Sequence, residues 1–340
     1  MNISHWDIYI TNGLILNIIP VCFKNRDKNI LSVPLLFNEY REIIPDYESF
    51  LSAINRPFPT HIRINTLKSQ PEMVLSSMKA YGADLKQSMR GALHLYNIEG
   101  LKLPGNTFEF TIGEIHVQAM SSCLAPLALK PLPETKVLDL CSSPGGKTSY
   151  LAQLMDNSGF IVANELYNSR HVALGANLSR LGVTNTVITG YQAQEFPYKV
   201  KFDFILADVP CTGDGRFRNL SKEKTHYMSN DFISITNLQK KIILRAYDLL
   251  ADGGVLLYST CTYNPSENEA VVDYLLKNRL GSDLDDIDLA VSADPGIGMW
   301  KDFEYDKRVR KTMRIYPHRN DTVGFFMARI VKGCRERRTD

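Results

Sequence analysis

At 340 residues, 44% hydrophobic and 22% charged, the chain has the composition of a water-soluble globular protein with room for two domains and a sizeable core. A formal net charge of +2 neither demands nor excludes a nucleic-acid partner, so any basic surface must be local. The six cysteines, Cys22, Cys123, Cys141, Cys211, Cys261 and Cys334, form no CxxC pair, which argues against a zinc ribbon, a thioredoxin-type site or a disulfide framework. They read as reduced thiols in a cytoplasmic setting, with no metal.

The segment from Ile8 to Phe23 is apolar-rich but interrupted by Thr11, Asn12, Gly13, Asn17 and Pro20. It is too short and too broken to span a bilayer and lacks the positive leader of a secretion signal, so no membrane partner is expected. Residues 1–32 are left as an appendage of unassigned role. From 34 to 54, Leu36, Phe37, Tyr40, Ile43 and Ile44, then Tyr47, Phe50, Leu51 and Ile54, have helical spacing, and Pro45 separates two helices. Residues 61–67, HIRINTL, alternate apolar and polar side chains and predict a half-buried strand; 71–81 predict a helix and 93–98 a second strand. Residues 33–115 thus form a small α+β unit. Arg63 and Lys68 are candidates to touch a phosphate backbone, although a lone charge is ordinarily a solvated one.

A second unit is expected over 116–335. It opens with an amphipathic helix at 118–130, closed by Pro131 and Pro133. Strands at 136–141, 160–164, 185–189, 203–208 and 254–260 then alternate with helices at 147–155, 168–181, 236–250 and 266–278. Alternation at this spacing means βαβ units and an α/β fold with a doubly wound, mostly parallel sheet. Residues 280–311 break the rhythm, acidic and then basic, and read as a surface insertion: solvated by default, RNA-contacting as the minority option. Residues 313–316 and 325–331 predict a closing antiparallel hairpin.

The most informative stretch is VLDLCSSPGGKT, residues 137–148: a buried strand, a glycine turn and a helix start. Such a turn brings backbone N–H groups close to a ligand at the carboxyl edge of a parallel sheet. A Walker A loop would need glycine where Cys141 stands, and a dinucleotide fingerprint needs three glycines where only Gly145 and Gly146 occur. Glu165, one βα unit downstream, is where a nucleoside-binding sheet places the carboxylate that takes ribose hydroxyls. Two more stretches end strands on the same edge. One runs Asp208-Val-Pro-Cys211-Thr-Gly-Asp-Gly, the other Cys261-Thr-Tyr-Asn-Pro-Ser-Glu267-Asn-Glu269. A free cysteine after a strand is ordinarily a small buried hydrophobe, but two of them at converging strand ends point to a shared ligand. A helix start near Cys261, or Lys147 across the crevice, would raise its thiolate fraction.

PGGKT, DVPCTGDG and YSTCTYNPSENE in this order resemble the Nop/Sun family of RNA cytosine-5 methyltransferases. HIRINTLK lies upstream, GEIHVQAMSS leads into the sheet and VGFFMARIVK closes it, so the resemblance runs from about residue 35 to 332. It implies a class I methyltransferase sheet binding S-adenosylmethionine, preceded by a small RNA-recognition-like domain, and methylation of carbon 5 of a cytosine in tRNA or rRNA. It also implies the roles of individual residues. Cys141, Ser142, Ser143, Pro144, Gly145, Gly146 and Lys147 would wrap the cofactor, Glu165 would hold its ribose, and Arg170 would assist nearby. Asp208 would lie by the methionine end and the target base. Cys261 would be the nucleophile and Cys211 would help release the product, with Asp208 and Lys147 stabilising charge on the ring. Cysteine at both positions is the RNA-type pattern. The base would be presented unstacked, in single-stranded or loop RNA, to an enzyme that acts as a monomer. One position departs from the family. Where an aspartate usually accepts from the adenine amino group, this chain has Gln192, which can accept only through a neutral carbonyl. A catalytically silent RNA-binding protein that keeps the fold is the alternative reading.

Overall fold

The computed structural model describes residues 10–11, 14–15, 37–90, 94–218 and 232–333. The N-terminal appendage therefore lies almost wholly outside the described residues, as do Cys22 and Cys334. Among the described residues no helix is long and apolar enough to cross a membrane, and no group of side chains is arranged to hold a metal.

Of the two helices expected over 34–54, the first is a single 3-10 turn, Asn38–Tyr40, and the second is α1, Tyr47–Ile54, capped by the Asp46 carboxylate, which accepts from the Ser49 N–H. The small unit follows: β1 (His61–Ile64), α2 (Pro71–Ala80), β2 (Asp84–Gln87), β3 (Leu95–Glu99), α3 (Phe108–Ile112) and β4 (Ile115–Val117). Its sheet is antiparallel, in the order β2-β3-β1-β4. Its last strand crosses the 115/116 boundary drawn from the sequence. Ile62 and Ile64 on one face of β1 join Val74, Met78, Ile98 and Phe110 in a core of their own.

The other face of β1 corrects the sequence reading. His61, Arg63 and Asn65 are buried rather than solvated, because that face lies against the second unit. The Arg63 guanidinium donates to Ser149 Oγ at 2.7 Å and to Gln153, and sits 4.7 Å from the Tyr150 ring centre. It has no surface to offer a phosphate; Lys68 remains exposed. Asn65 Nδ2 donates to the carbonyls of Gly113 and Leu181, both at 2.8 Å. The segment ahead of the small sheet also belongs elsewhere. Phe37, Tyr40, Tyr47 and Phe50 pack in the large core with Leu140, Ile205 and Tyr263, and the Phe50 and Tyr263 rings meet edge to face at 5.3 Å.

The second unit begins with α4, Met120–Leu129. It was expected to be amphipathic, but it is buried on nearly every side, since it runs under the sheet next to α5. Then come β5 (Lys136–Asp139), α5 (Gly146–Leu154), β6 (Phe160–Asn164), α6 (Asn168–Arg180), β7 (Thr186–Thr189), β8 (Phe202–Asp208), α7 (Phe232–Leu249), β9 (Leu250–Thr260) and α8 (Glu269–Asn278). They are followed by β10 (Ser282–Asp285), β11 (Asp294–Pro295), β12 (Met313–Ile315) and β13 (Phe325–Lys332). The sheet runs β11-β12-β13-β9-β8-β5-β6-β7, parallel from β9 to β7 and antiparallel beyond β9, with β10 also paired to β13. Strand order reverses beside β5, and the carboxyl ends of β5, β8 and β9 meet there at one edge of the sheet, where open α/β sheets bind their ligands in a crevice.

Residues 280–311 are not a free loop. β10 pairs with the final strand, Val309 and Trp300 are buried, and some of the opposite charges pair at the surface: Arg308 with Asp306 at 2.7 Å and with Asp283 at 3.7 Å, Arg329 with Asp285. The acid-then-base run stays at the surface, as the default reading has it: Asp283, Asp285, Asp286, Asp288, Lys301, Lys307, Arg310 and Lys311 are all exposed.

Candidate active site

The turn after β5 is built for close approach. Gly145 has φ +100, open to glycine without strain, and a side chain on Gly146 would meet His116 Nε2 at 3.2 Å. Asn164, which the sequence reading missed, ties this turn to the next. Its side chain donates to Leu140 O at 3.1 Å and Tyr191 O at 2.9 Å and accepts from Tyr191 N and Thr189 Oγ1, while its own carbonyl accepts from Ser142 N. Only its place at a strand end could have marked it.

Glu165 is buried at the end of β6. Its carboxylate accepts from the Tyr167 N–H at 3.0 Å and pairs with Arg170 at 3.1 Å, and Arg170 also donates to Ser143 O at 3.1 Å. Arg170 therefore joins the acid to the glycine turn. Beside it, Leu166, Tyr167 and Tyr191 expose apolar surface. Gln192 is exposed, and its side-chain carbonyl already accepts from Gln194 Nε2 at 2.6 Å.

At the centre of the crevice Lys147 Nζ lies 2.8 Å from Asp208 Oδ2, and Ser259 Oγ donates to Asp208 Oδ1 at 2.8 Å. Burial alone would lower the Lys147 ammonium; the charge and hydrogen bond of Asp208, helped by Cys261 and Asp139, outweigh it and leave its pKa raised. Burial pushes Asp139 up to about 7, against the hydrogen bond from Thr148 Oγ1 at 2.7 Å. Burial likewise raises the Cys141 thiol, which lies in the turn as a packed group.

The sulfurs of Cys211 and Cys261 are 3.2 Å apart, and the Cys261 N–H points at Cys211 Sγ from 3.4 Å. Both residues are partly exposed and both are free thiols. Contact with Cys261, then burial, raises the Cys211 thiol well above its usual value. The helix expected to begin at Ser266 begins at Glu269, so it is Lys147 that brings positive charge to Cys261. Gly213 has φ +74, a conformation side chains rarely adopt, and a side chain on Gly215 would clash with the Cys261 carbonyl at 2.8 Å. The loop after Cys211 therefore needs both glycines.

Three further side chains that hold these loops were missed. Asp214 accepts from Tyr263 N at 2.7 Å and from Tyr40 OH at 2.9 Å. Burial raises it to about 6 despite those bonds. Glu267, fully buried, accepts from Thr212 N at 2.9 Å and Thr212 Oγ1 at 2.6 Å. Tyr40 lies 174 positions from Asp214, beyond the reach of any local pattern.

A family profile described as 16S rRNA methyltransferase RsmB/F matches residues 126–331. A tRNA (cytosine(49)-C(5))-methyltransferase from Pyrococcus abyssi is 35% identical over 297 residues, 85% of this chain and 93% of its own. The 25S rRNA (cytosine-C(5))-methyltransferase nop2 of Schizosaccharomyces pombe is 35% identical over 290 residues, 83% of this chain. The human 28S rRNA (cytosine(4447)-C(5))-methyltransferase is 34% identical over 327 residues, 91% of this chain. The chain spans 48% of the yeast protein and 40% of the human one. Among solved structures, a methyltransferase homolog protein from Pyrococcus horikoshii superposes with TM-score 0.78 at 32% identity, over 89% of this chain and 96% of its own. With the profile covering most of the sheet and an archaeal relative matched almost end to end, this chain belongs to the RsmB/F methyltransferase family.

Proposed function

We propose that the protein methylates carbon 5 of a cytosine in tRNA or rRNA, using S-adenosylmethionine, through a covalent adduct between Cys261 and carbon 6. The observation that carries the reading is the 3.2 Å contact of Cys211 and Cys261 beside the Lys147–Asp208 pair. The relatives' names supply the reaction class and the two kinds of RNA.

The crevice suits the cofactor. The oxygens of the Glu165 carboxylate each keep a lone pair for a ribose hydroxyl beyond the contacts they make, and the exposed faces of Leu166, Tyr167 and Tyr191 suit a flat base. The backbone of Cys141 to Gly146 would line its amino-acid end. When bound, it supplies an electrophilic methyl group.

Carbon 5 of cytosine is a poor nucleophile. The Cys261 thiolate adds to carbon 6, forming an S–C bond and turning carbon 5 into an enamine-like centre that can take up the methyl group. Lys147, held in place by Asp208, brings a positive charge and a hydrogen-bond donor where negative charge develops on the ring's polar edge. A base, supplied by solvent at the open site, then takes the carbon 5 proton; the C–H electron pair re-forms the 5,6 double bond, and the sulfur–carbon bond breaks to return Cys261 as a thiolate. Cys211, in contact with that sulfur, assists the release. The small sheet and its flank are proposed to guide RNA to the crevice, where the target base must leave its stack.

The test is transfer of labelled methyl from S-adenosylmethionine to tRNA and rRNA, with 5-methylcytidine identified by mass. Cys261→Ser should abolish transfer, and Cys211→Ser should leave a slowly released protein–RNA adduct visible as a shifted band. Equal turnover by wild type and Cys261→Ser would refute the assignment.

A further inference from the structure

Glu267 and Glu269 are both fully buried, yet their surroundings differ. Glu269 faces the Arg314 guanidinium, bonded to both of its oxygens at 2.6 Å. Glu267 has no cation among the described residues. Its partners are neutral donors: Thr212 N at 2.9 Å, Thr212 Oγ1 at 2.6 Å, Gln239 Nε2 at 3.0 Å and Thr262 Oγ1 at 3.4 Å. A buried carboxylate without a counter-charge is an expensive group, and replacing it by a neutral one would ordinarily be easy.

Its partners show what it holds. Gln239 also donates to the Pro210 carbonyl at 2.9 Å. The residues on either side of Cys211 are thus both tied to one carboxylate, Thr212 directly and Pro210 through Gln239. Thr262, next to Cys261, reaches the same oxygen as Thr212, so both cysteine loops converge on Glu267.

The charges around the sulfur pair are unequal. From the end of β5 comes Asp139 and from the first turn of α5 Lys147; from β8 comes Asp208, neutralised by Lys147 at 2.8 Å; the loop after Cys211 brings Asp214. From the β9–α8 side come Tyr258 and Glu267. The negative charge of Glu267 adds to the contact and burial that hold the proton on Cys211, opposed by the Cys261 N–H. Lys147 acts on Cys261.

We propose that Glu267 is a positioning residue that divides the work between the two sulfurs: it grips the Pro210–Thr212 segment so that Cys211 stays the protonated partner and Cys261 carries the charge. This rests on the reading of Cys261 as nucleophile. The Cys211 S–H donates to the Cys261 sulfur at rest, and once that sulfur bonds carbon 6 the Cys211 proton stays where it is.

Alkylation tests this without RNA or methyl transfer. A brief, sub-stoichiometric pulse of iodoacetamide at pH 8, read by peptide mass spectrometry, reports which sulfur is the thiolate. In wild type the label should fall on Cys261 over Cys211 by about tenfold or more. Glu267→Gln should lower that ratio about tenfold and Glu267→Asp should restore part of it, with S-adenosylhomocysteine still raising each melting temperature. Should Glu267→Gln fail to fold, Thr212→Val, which cuts one hydrogen bond of the grip, should move the ratio the same way by roughly threefold. An unchanged ratio in the folded variants, or a wild-type label mainly on Cys211, overturns the proposal. Absence of methyl transfer by wild type would instead overturn the activity and leave the labelling ratio readable.

Discussion

Arg314 and Glu269 meet as a two-pronged ion pair, both bonds 2.6 Å long and both side chains almost without exposure, where β12 passes the start of α8. Arg314 also donates to the Tyr263 carbonyl at 2.9 Å, and Glu269 accepts from Ile297 N at 3.1 Å. The pair thus ties the closing strands to the loop that follows Cys261. Removing one member strands the other in the interior, which costs about 3–5 kcal/mol, whereas replacing both by apolar groups is often close to neutral. Arg314→Leu and Glu269→Leu should each destabilise the protein by that amount in urea unfolding, and the double substitution by clearly less than the sum. Additive losses would refute the coupling.

Asp139 should make stability depend on pH. Its folded pKa, about 7, lies above its unfolded value, so the stability it lends is complete below about pH 4 and is lost as pH rises through 7. Asp214, raised to about 6, has the same sign. The melting temperature without cofactor should therefore fall between about pH 4 and 7, and Asp139→Asn should flatten that fall, by an amount on the order of 4 kcal/mol at most. A variant that tracks wild type across the range would show that Asp139 is ionised throughout.

Gln192 offers a test of the adenine end. Its carbonyl accepts from Gln194 and carries no charge, whereas the family resemblance leads to an aspartate there. A charged acceptor makes a hydrogen bond roughly twice as strong as a neutral one. Gln192→Asp should tighten S-adenosylhomocysteine binding by roughly threefold to tenfold in calorimetry, about 1 kcal/mol. Unchanged or weaker binding would place adenine elsewhere.

What the sequence made legible was local. The β5 to α5 turn, Glu165, and the two cysteines after β8 and β9 all stand at strand ends, and a parallel sheet brings such ends to one edge whatever separates them in the chain. Contacts across units were not legible. Alternation in residues 61–67 signals a strand with two unlike faces, but it cannot say whether the polar face meets water or another unit; here it meets Ser149 and Gln153. The same limit applies to the spacing of Phe37, Tyr40 and Phe50, which shows a buried stripe without showing that Tyr263 lies under it. Glu267 and Asp214 look like ordinary surface acids in sequence, and only the loops folded over them reveal otherwise.

The reach of Arg63 into α5 bears on ancestry and on protein engineering. Cutting the gene between β4 and α4 would uncover Ser149, Gln153 and the flank of Gly146 that His116 covers, and would leave the guanidinium's former partners facing water. The two halves are therefore poor candidates for independent shuffling. Chimaeras that graft a different leading piece onto the second unit should succeed only when the graft brings its own long donor for that spot.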